Sequence, residues 1–278
     1  AASVGQRPAP MLPTTGQVTA CALGAISETD MMLLGVRSYG PGRAADPRTS
    51  QGRAALYSLA FMLRRAAAVY MDIQDHELKA GIRSQEDPAL GSVVGQIFLC
   101  DMLENGAGYV THLGEPTVSE HLLRMVTENT RWLLHDILVG DLHAGACDTS
   151  CPDCLRSYSN LAYHSLLDWR LAVDMARLAL DASSPISLSS PLWTRVSRVA
   201  ASALAAARPG FSPATFGGLQ GLTNGTDAIV LTHPLWLTGR ADAGPEVAAA
   251  WDDAERNGGL TVTPGSFVSV FEALRRPV

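Results

Sequence analysis

The sequence predicts a mixed α/β (α+β) fold, in which a helix-rich part with a small sheet precedes a smaller α/β part. Segments with helical spacing of apolar residues alternate with short apolar strands. The 278 residues are 47% hydrophobic and 17% charged, which is enough apolar material for a buried core. A serine- and proline-rich stretch at 182–191 separates the two parts. We therefore expect a linker-like tail at 1–17, a domain at 18–183 and an α/β appendage at 184–278.

The first domain begins with strand-like patterns and one long amphipathic helix. Segments 18–25 and 30–36 have strand character, and apolar residues at helical spacing over 56–70 predict the helix. Two further strands are predicted at 77–82 and 93–99. The second of these is almost wholly apolar, so we expect it at the centre of its sheet.

Apolar residues three and four positions apart predict most of the remaining elements. They predict helices over four segments, 117–137, 167–178, 192–207 and 246–257. The apolar run 228–231 predicts a strand, and the alternation in 267–271 is typical of an edge strand.

Three of the five cysteines, Cys147, Cys151 and Cys154, lie within eight residues. An odd number of cysteines argues against a disulfide framework, although three buried or redox-paired thiols in a loop are the alternative. A tetrahedral zinc ion needs four donors at about 2.0 to 2.3 Å, and Cys-x2-Cys in one tight turn delivers two of them. The carboxylates of Asp148 and Asp153 lie between the ligands, where catalytic roles are uncommon. We therefore predict a zinc-stapled domain with a structural metal.

The fourth ligand has three candidates in the sequence. His164, at the start of the following helix, is our choice, because its ring can point back toward the loop. Cys100, at the end of the predicted central strand, and His143, four residues before Cys147, are the alternatives.

The cysteine segment resembles a known family. Residues 147–170, CDTSCPDCLRSYSNLAYHSLLDWR, resemble the zinc-binding MZB (MrfA-like) domain at the C-terminus of certain superfamily 2 DEAD/DEAH-type helicases and of a DISARM anti-phage component. Residues 97–109, IFLCDMLENGAGY, are similar to a strand and glycine-rich turn of that family, and 29–34 to its opening strand. The resemblance covers about residues 18–181. Family members commonly supply four cysteines, whereas here the last place falls near Asn160, which leaves the fourth position to another residue.

The resemblance implies the accessory C-terminal region of a DNA helicase or of a helicase-like anti-phage defence complex, which supports DNA engagement or motor docking. An ATP-driven motor needs a Gly-Lys-Ser/Thr loop. The sequence has no such motif, and its one lysine is Lys79. We therefore expect no catalysis by this chain, with an ATP-dependent motor in the same polypeptide or in a partner chain.

Any contact with DNA must be local, because the net charge is −6. Arg43, Arg48 and Arg53 lie in a polar loop that can follow a phosphate backbone. Arg156 and Arg170 flank the cysteine loop and are further candidates. For Arg170 the alternative is a pair with Asp168 or Asp174 on its own helix.

Two rival functions come from other classes. Asp227 and His233 flank an apolar strand, which suggests a metal-dependent hydrolase acting on nucleic acid. The other rival is a protein-interaction module that makes no DNA contact.

Location is predicted from what the sequence lacks. No run reaches the roughly 18 apolar residues that a membrane span requires, and residues 1–17 have neither a basic start nor an apolar run. We therefore expect a cytoplasmic protein without membrane contact. The linker-like start, without an initiator methionine, suggests a segment of a longer protein.

Overall fold

The computed structural model describes residues 28–87, 91–103 and 106–275, so the predicted strand at 18–25 lies outside the described residues. The fold is mixed α/β, as predicted, with two small sheets. Within the described ranges, no helix has both the length and the apolar character that a membrane crossing needs. The strands are β1 Met31–Gly35, β2 Leu78–Asp87, β3 Ser92–Asp101, β4 Ser212–Phe216, β5 Leu219–Thr223, β6 Ala228–Thr232 and β7 Phe267–Ser269. The helices are α1 Ser50–Met71, α2 Tyr109–Leu113, α3 Pro116–Thr127, α4 Leu134–Val139, α5 Asp141–Ala146, α6 Trp169–Leu180, α7 Pro191–Ala207, α8 Pro245–Asp252 and α9 Val270–Arg275.

The first sheet is antiparallel with the strand order β1-β3-β2. The apolar strand β3 is central, as predicted. Helix α1 packs on this sheet and also against α3 and α6. The absence of a side chain at Gly95 permits this close approach, because a Cβ atom there would collide with Leu56 of α1.

Helix α1 has clear signals at both ends. The hydroxyl of Thr49 accepts a hydrogen bond from the amide of Gly52 at 3.0 Å, which caps the first turn. The helix ends where Asp72 takes a left-handed conformation with φ of 54°. Most of the residues between these two points are buried, so α1 forms the centre of the first core.

The prediction of one continuous helix over 117–137 is wrong. The segment forms α3 and α4, separated by a turn in which Leu133 has φ of 57°. A positive φ at a leucine is costly and interrupts helical hydrogen bonding. The break points the second half of the segment in a new direction, toward the cysteine loop.

The second sheet has the order β4-β5-β6-β7. Strands β4, β5 and β6 are antiparallel, whereas β7 pairs parallel with β6 at the edge. The sequence predicted β6 and the edge position of β7. The predicted strand 267–271 is shorter than expected, because the chain enters α9 at Val270.

One apolar cluster runs through both predicted parts of the chain. In the stretch 182–191, Ile186 and Leu188 are buried in this cluster, so the stretch is packed rather than free. Buried polar groups also connect the parts. The carboxylate of Asp174 on α6 accepts hydrogen bonds from Trp193 Nε1 of α7 at 2.6 Å and from His233 Nε2 after β6 at 3.2 Å. The domain boundary between residues 183 and 184 stays a prediction, since it claims that the two parts fold independently.

We expect the free energy of unfolding to fall below a pH of about 6.5, because His233 stays neutral in the folded state. Burial lowers the pKa of His233, and Asp174 opposes this shift only in part. Below its ordinary pKa the unfolded chain binds a proton that the folded chain does not, which costs up to about 1.4 kcal/mol per pH unit. Denaturant titrations at pH 7.5 and 5.5 measure the loss. The variant His233→Gln should show a smaller loss, and an identical pH dependence in both proteins would contradict the prediction.

Candidate metal centre

Four side chains converge at the loop that follows α5. They are His143, Cys147, Cys151 and Cys154, and their ligand atoms all lie within 4.8 Å of one another. The sulfurs of Cys147 and Cys154 are 3.9 Å apart. Two sulfurs of a tetrahedral site with Zn–S bonds of about 2.3 Å lie about 3.8 Å apart, so the spacing fits zinc.

Two short backbone motifs bring these ligands together. His143 and Cys147 lie one turn apart along α5, where the Cys147 amide donates to the His143 carbonyl at 2.8 Å. After this turn, the amides of Cys154 and Leu155 both donate to the carbonyl of Cys151 at 3.1 Å. The Cys151 amide in turn donates to the sulfur of Cys154 at 3.1 Å. The tight turn therefore presents two sulfurs on the same side.

The imidazole of His143 is oriented as a metal ligand requires. Its Nδ1 donates to the carbonyl of Leu138 at 2.9 Å, which leaves the lone pair of the neutral ring on Nε2. Nε2 is buried and has no hydrogen-bond partner among the described residues. The ring also packs edge-on against Trp169, with the ring centroids 5.1 Å apart. A fixed tautomer with an unpartnered buried lone pair beside three thiols fits a zinc ligand.

The thiols share protons in a way that suits metal binding. The sulfur of Cys154 accepts hydrogen bonds from the Cys147 thiol and from the Cys151 amide, and both favour its thiolate. Together they lower the pKa of Cys154 to about 5, although burial opposes the shift. The same hydrogen bond raises the pKa of Cys147, and burial raises it further. The opposite shifts describe one proton held between two sulfurs. Zinc binding requires loss of such protons, because the thiolate is the ligand.

A buried cation holds the backbone of the cysteine loop. Arg170 on α6 is 1% exposed, and its guanidinium donates to the carbonyls of Cys147 at 3.2 Å and Asp148 at 2.7 Å. It also donates to Leu192 of α7 at 2.9 Å. The carboxylate of Asp168, 3.8 Å away, balances its charge. The loop carbonyls thereby gain partners that no regular secondary structure supplies.

The structure separates His164 and Cys100 from this cluster. His164 Nε2 lies 3.1 Å from the carbonyl of Ser157 and 2.9 Å from Oδ1 of Asn160, both of which are acceptors. Nε2 therefore carries a proton and has no lone pair to offer. Cys100 is buried within β3, outside the group of converging ligands. The geometry favours His143, the alternative from the sequence, as the fourth ligand.

The arginine candidates for DNA contact differ in exposure. The guanidinium of Arg170 is buried and paired with Asp168, which favours the alternative for this residue over DNA contact. Arg43 is half-buried and donates to the Ser184 carbonyl at 2.7 Å. Arg48 has a side chain 65% exposed and pairs with Asp46. Two partly exposed candidates remain, Arg53 at the start of α1 and Arg156 in the cysteine loop.

The hydrolase alternative lacks a catalytic pair. Asp227 precedes the five-residue strand β6 and His233 follows it, so the strand holds them roughly 20 Å apart. His233 is fully buried, and both ring nitrogens are engaged, Nε2 with Asp174 and Nδ1 with the Leu235 amide. The two side chains therefore do not share a site.

Comparison with known proteins identifies the segment that carries the cluster. Residues 59–155 match the family of the MrfA Zn-binding domain, MZB. This range includes His143 and the three cysteines, and it ends before His164. The match confirms the resemblance inferred from the sequence over about a third of the chain.

One relative is the Druantia protein DruE from Escherichia coli (strain UMEA 4076-1), which is 32% identical over 136 residues. The aligned region covers 47% of this chain but only 6% of the relative, so the chain corresponds to a small part of a much longer protein. No solved structure matches the chain.

We expect the variant His143→Ala to bind zinc at least ten-fold more weakly than the unaltered chain, because it removes one of four ligands. His164→Ala should retain about one zinc per chain. Zinc content after dialysis against a competing chelator, measured by elemental analysis, checks both. Cys100→Ser, which removes a thiol outside the cluster, is the control. A His164→Ala protein that loses zinc while His143→Ala keeps it would contradict the assignment.

Proposed function

We propose that the chain is a zinc-stabilised accessory region of a larger, helicase-like anti-phage defence protein or complex. The convergence of His143, Cys147, Cys151 and Cys154 inside the segment that matches the MZB family carries the proposal. The similarity to part of a much longer Druantia protein supports it. The motor then lies in another part of the polypeptide or in a partner chain. We place the protein in the cytoplasm, where thiols stay reduced and available to zinc.

The cluster suits a structural metal. One imidazole and three thiolates complete a tetrahedral set, whereas a catalytic zinc leaves one position open to water or substrate. His143 and the three cysteines would hold the ion, which when bound cross-links α5 to the turn at Cys151–Cys154. The Arg170 guanidinium positions the loop from the opposite side through its carbonyls. This arrangement supports a scaffold and not a reaction centre.

The proposal also includes contact between this chain and DNA. It is supported by the exposed side chain of Arg48, by Arg53 in the first turn of α1 and by Arg156 beside the zinc loop. Since the overall charge is −6, contact is confined to this surface and depends on the ionic strength.

We expect the zinc-loaded chain to bind a fluorescent oligonucleotide with an affinity that falls steeply between about 50 and 200 mM salt. Each of Arg48→Gln and Arg53→Gln should reduce the slope of log Kd against log salt by about 1. Fluorescence anisotropy measures both effects, with Arg256→Gln as a control of equal charge change. If the folded, zinc-loaded chain binds no oligonucleotide at the lowest salt, the DNA part of the proposal fails.

An apolar surface favours protein docking as a second role. Leu133, Ile137 and Val139 beside or on α4 are 53%, 51% and 36% exposed, and Leu142 on α5 is 95% exposed. Exposed apolar residues this close together typically mark a protein contact. The remainder of the longer protein, which in the Druantia relative makes up most of the chain, is the partner we propose for this surface.

We expect Ile137→Asp combined with Leu142→Asp to abolish association with the motor encoded in the same polypeptide or the adjacent gene. A buried carboxylate at such a contact is costly because it loses its hydration. Co-purification of the two proteins, expressed together, tests this. Leu161→Asp, at a leucine 63% exposed elsewhere on the surface, is the control. Equal recovery of the motor with the double variant would exclude this surface.

A further inference from the structure

A cavity of about 530 Å³ opens beside the zinc loop, away from the ligands themselves. The start of α1, the loop around the cysteines and α9 enclose it. Its polar wall includes the hydroxyl residues Ser50, Thr149 and Ser165 and the guanidinium residues Arg156 and Arg275. Of its lining residues, the functions proposed above use only Arg156.

Arg275 is held rigidly at the wall and has a donor to spare. Its Nε donates to the carbonyl of Ser165 at 2.7 Å and Nη2 to that of Leu167 at 3.0 Å. The guanidinium stacks on Phe271, 4.0 Å from the ring centroid. The third nitrogen, Nη1, is buried without a hydrogen-bond partner in the described parts of the chain. A buried cationic donor left unpaired calls for an acceptor, because the desolvation penalty is otherwise unrecovered.

Arg156 brings a second positive charge to the same wall. Its Nε donates to the hydroxyl of Ser150 at 2.9 Å. Among the residues that the structure describes, neither Arg156 nor Arg275 has a carboxylate within 4.0 Å. Burial lowers the pKa of Arg275, the charge of Asp168 opposes this shift, and the charge of Arg156 lowers the pKa again. The two guanidiniums therefore repel each other, and Asp168 offsets the charge of Arg275 only from beyond ion-pair distance.

The acidic groups near the cavity offset this charge only in part. Glu272 lines the wall, and its Oε2 accepts hydrogen bonds from the amide and hydroxyl of Ser269 at 3.2 and 3.0 Å. Asp168 is buried and lies 3.8 Å from Arg170, whose charge it balances. His164 also lines the cavity and uses Nε2 as a donor to Ser157. The lining therefore carries two guanidiniums and one carboxylate, which leaves a net positive charge.

We propose that this cavity binds a phosphate group. Guanidinium forks match the oxygens of a phosphate, and hydroxyl groups supply further donors. Ser50 begins a 22-residue helix that has no acidic residue in its first turn, so the helix dipole adds to the attraction. A nucleic-acid backbone and a small free phosphate share this chemistry. The phosphate site does not depend on the proposed function. Only its occupation by a nucleic-acid phosphate rests on that function.

The test uses the zinc-loaded chain and isothermal titration with pyrophosphate, followed by competition with a short oligonucleotide. Ser50→Asp places a carboxylate at the cavity, where it is compatible with the first turn of α1 and repels an anion. We expect Ser50→Asp and Arg275→Gln each to weaken pyrophosphate binding by about ten-fold, the usual effect of one charged hydrogen bond. Arg256→Gln, outside the cavity, should bind like the unaltered chain.

Each outcome decides the proposal. If the unaltered chain does not bind pyrophosphate, or if Ser50→Asp binds it unchanged, the phosphate site is refuted. If Arg275→Gln melts early or loses zinc, Ser50→Asp alone gives the answer. Competition by the oligonucleotide assigns the site to nucleic acid. Pyrophosphate binding that the oligonucleotide does not affect assigns the site to a small phosphate and leaves the DNA part of the proposed function to the anisotropy measurement.

Discussion

The buried guanidinium of Arg170 is the interaction on which the rest of the structure depends. It joins the carbonyls of Cys147 and Asp148 to α6 and to Leu192 of α7, so three segments far apart in sequence meet at one cation. Removing one partner of a buried charged group typically costs about 3 to 5 kcal/mol, because the others are left without compensation. The cysteine loop has little regular structure, and its position is therefore set by this cation even before a metal is considered.

This contact also explains why the two parts of the chain are tied together. On α7, Arg195 pairs with Asp148 of the cysteine loop at 2.9 Å, and Trp193 donates to Asp174 of α6. Each of these contacts crosses the serine- and proline-rich stretch that the sequence marks as a boundary. The C-terminal part thus braces the metal loop, and its stability is coupled to that of the loop.

Local signals made much of the fold predictable, and non-local contacts account for most of what was missed. The helical period of α1 and the apolar run of β3 depend on neighbouring residues alone, and both were predicted close to their bounds. The hairpin of β4 and β5 was missed although Gly217 and Gly218, with φ of 54° and 88°, form the glycine pair that two-residue hairpins favour. The break at Leu133 had no such signal, because leucine rarely adopts a positive φ.

The candidate metal site was likewise predicted where its signals are local in sequence and missed where its contacts are not. The spacing of Cys147, Cys151 and Cys154 predicted a metal loop, since a short turn can place thiols together regardless of the rest of the fold. Each of His143 and His164 keeps a lone pair on one ring nitrogen, and the choice between them depends on which ring lies beside the three sulfurs, which only the fold around the loop decides. For Arg170 the sequence offered Asp168 as a partner, but the carbonyls of Cys147, Asp148 and Leu192 that hold its guanidinium have no residue signature.

The metal loop and the arginine-lined cavity share a wall, and this has a thermodynamic consequence. Thr149 and Arg156 line the cavity; Thr149 lies between Cys147 and Cys151, and Arg156 follows Cys154 by two residues. The Thr149 carbonyl accepts from the Trp169 amide at 2.9 Å, and the indole of Trp169 packs on His143. A ligand that orders this wall also orders the metal ligands. Because linkage is reciprocal, any free energy by which zinc favours an anion at the proposed site equals that by which the anion favours zinc.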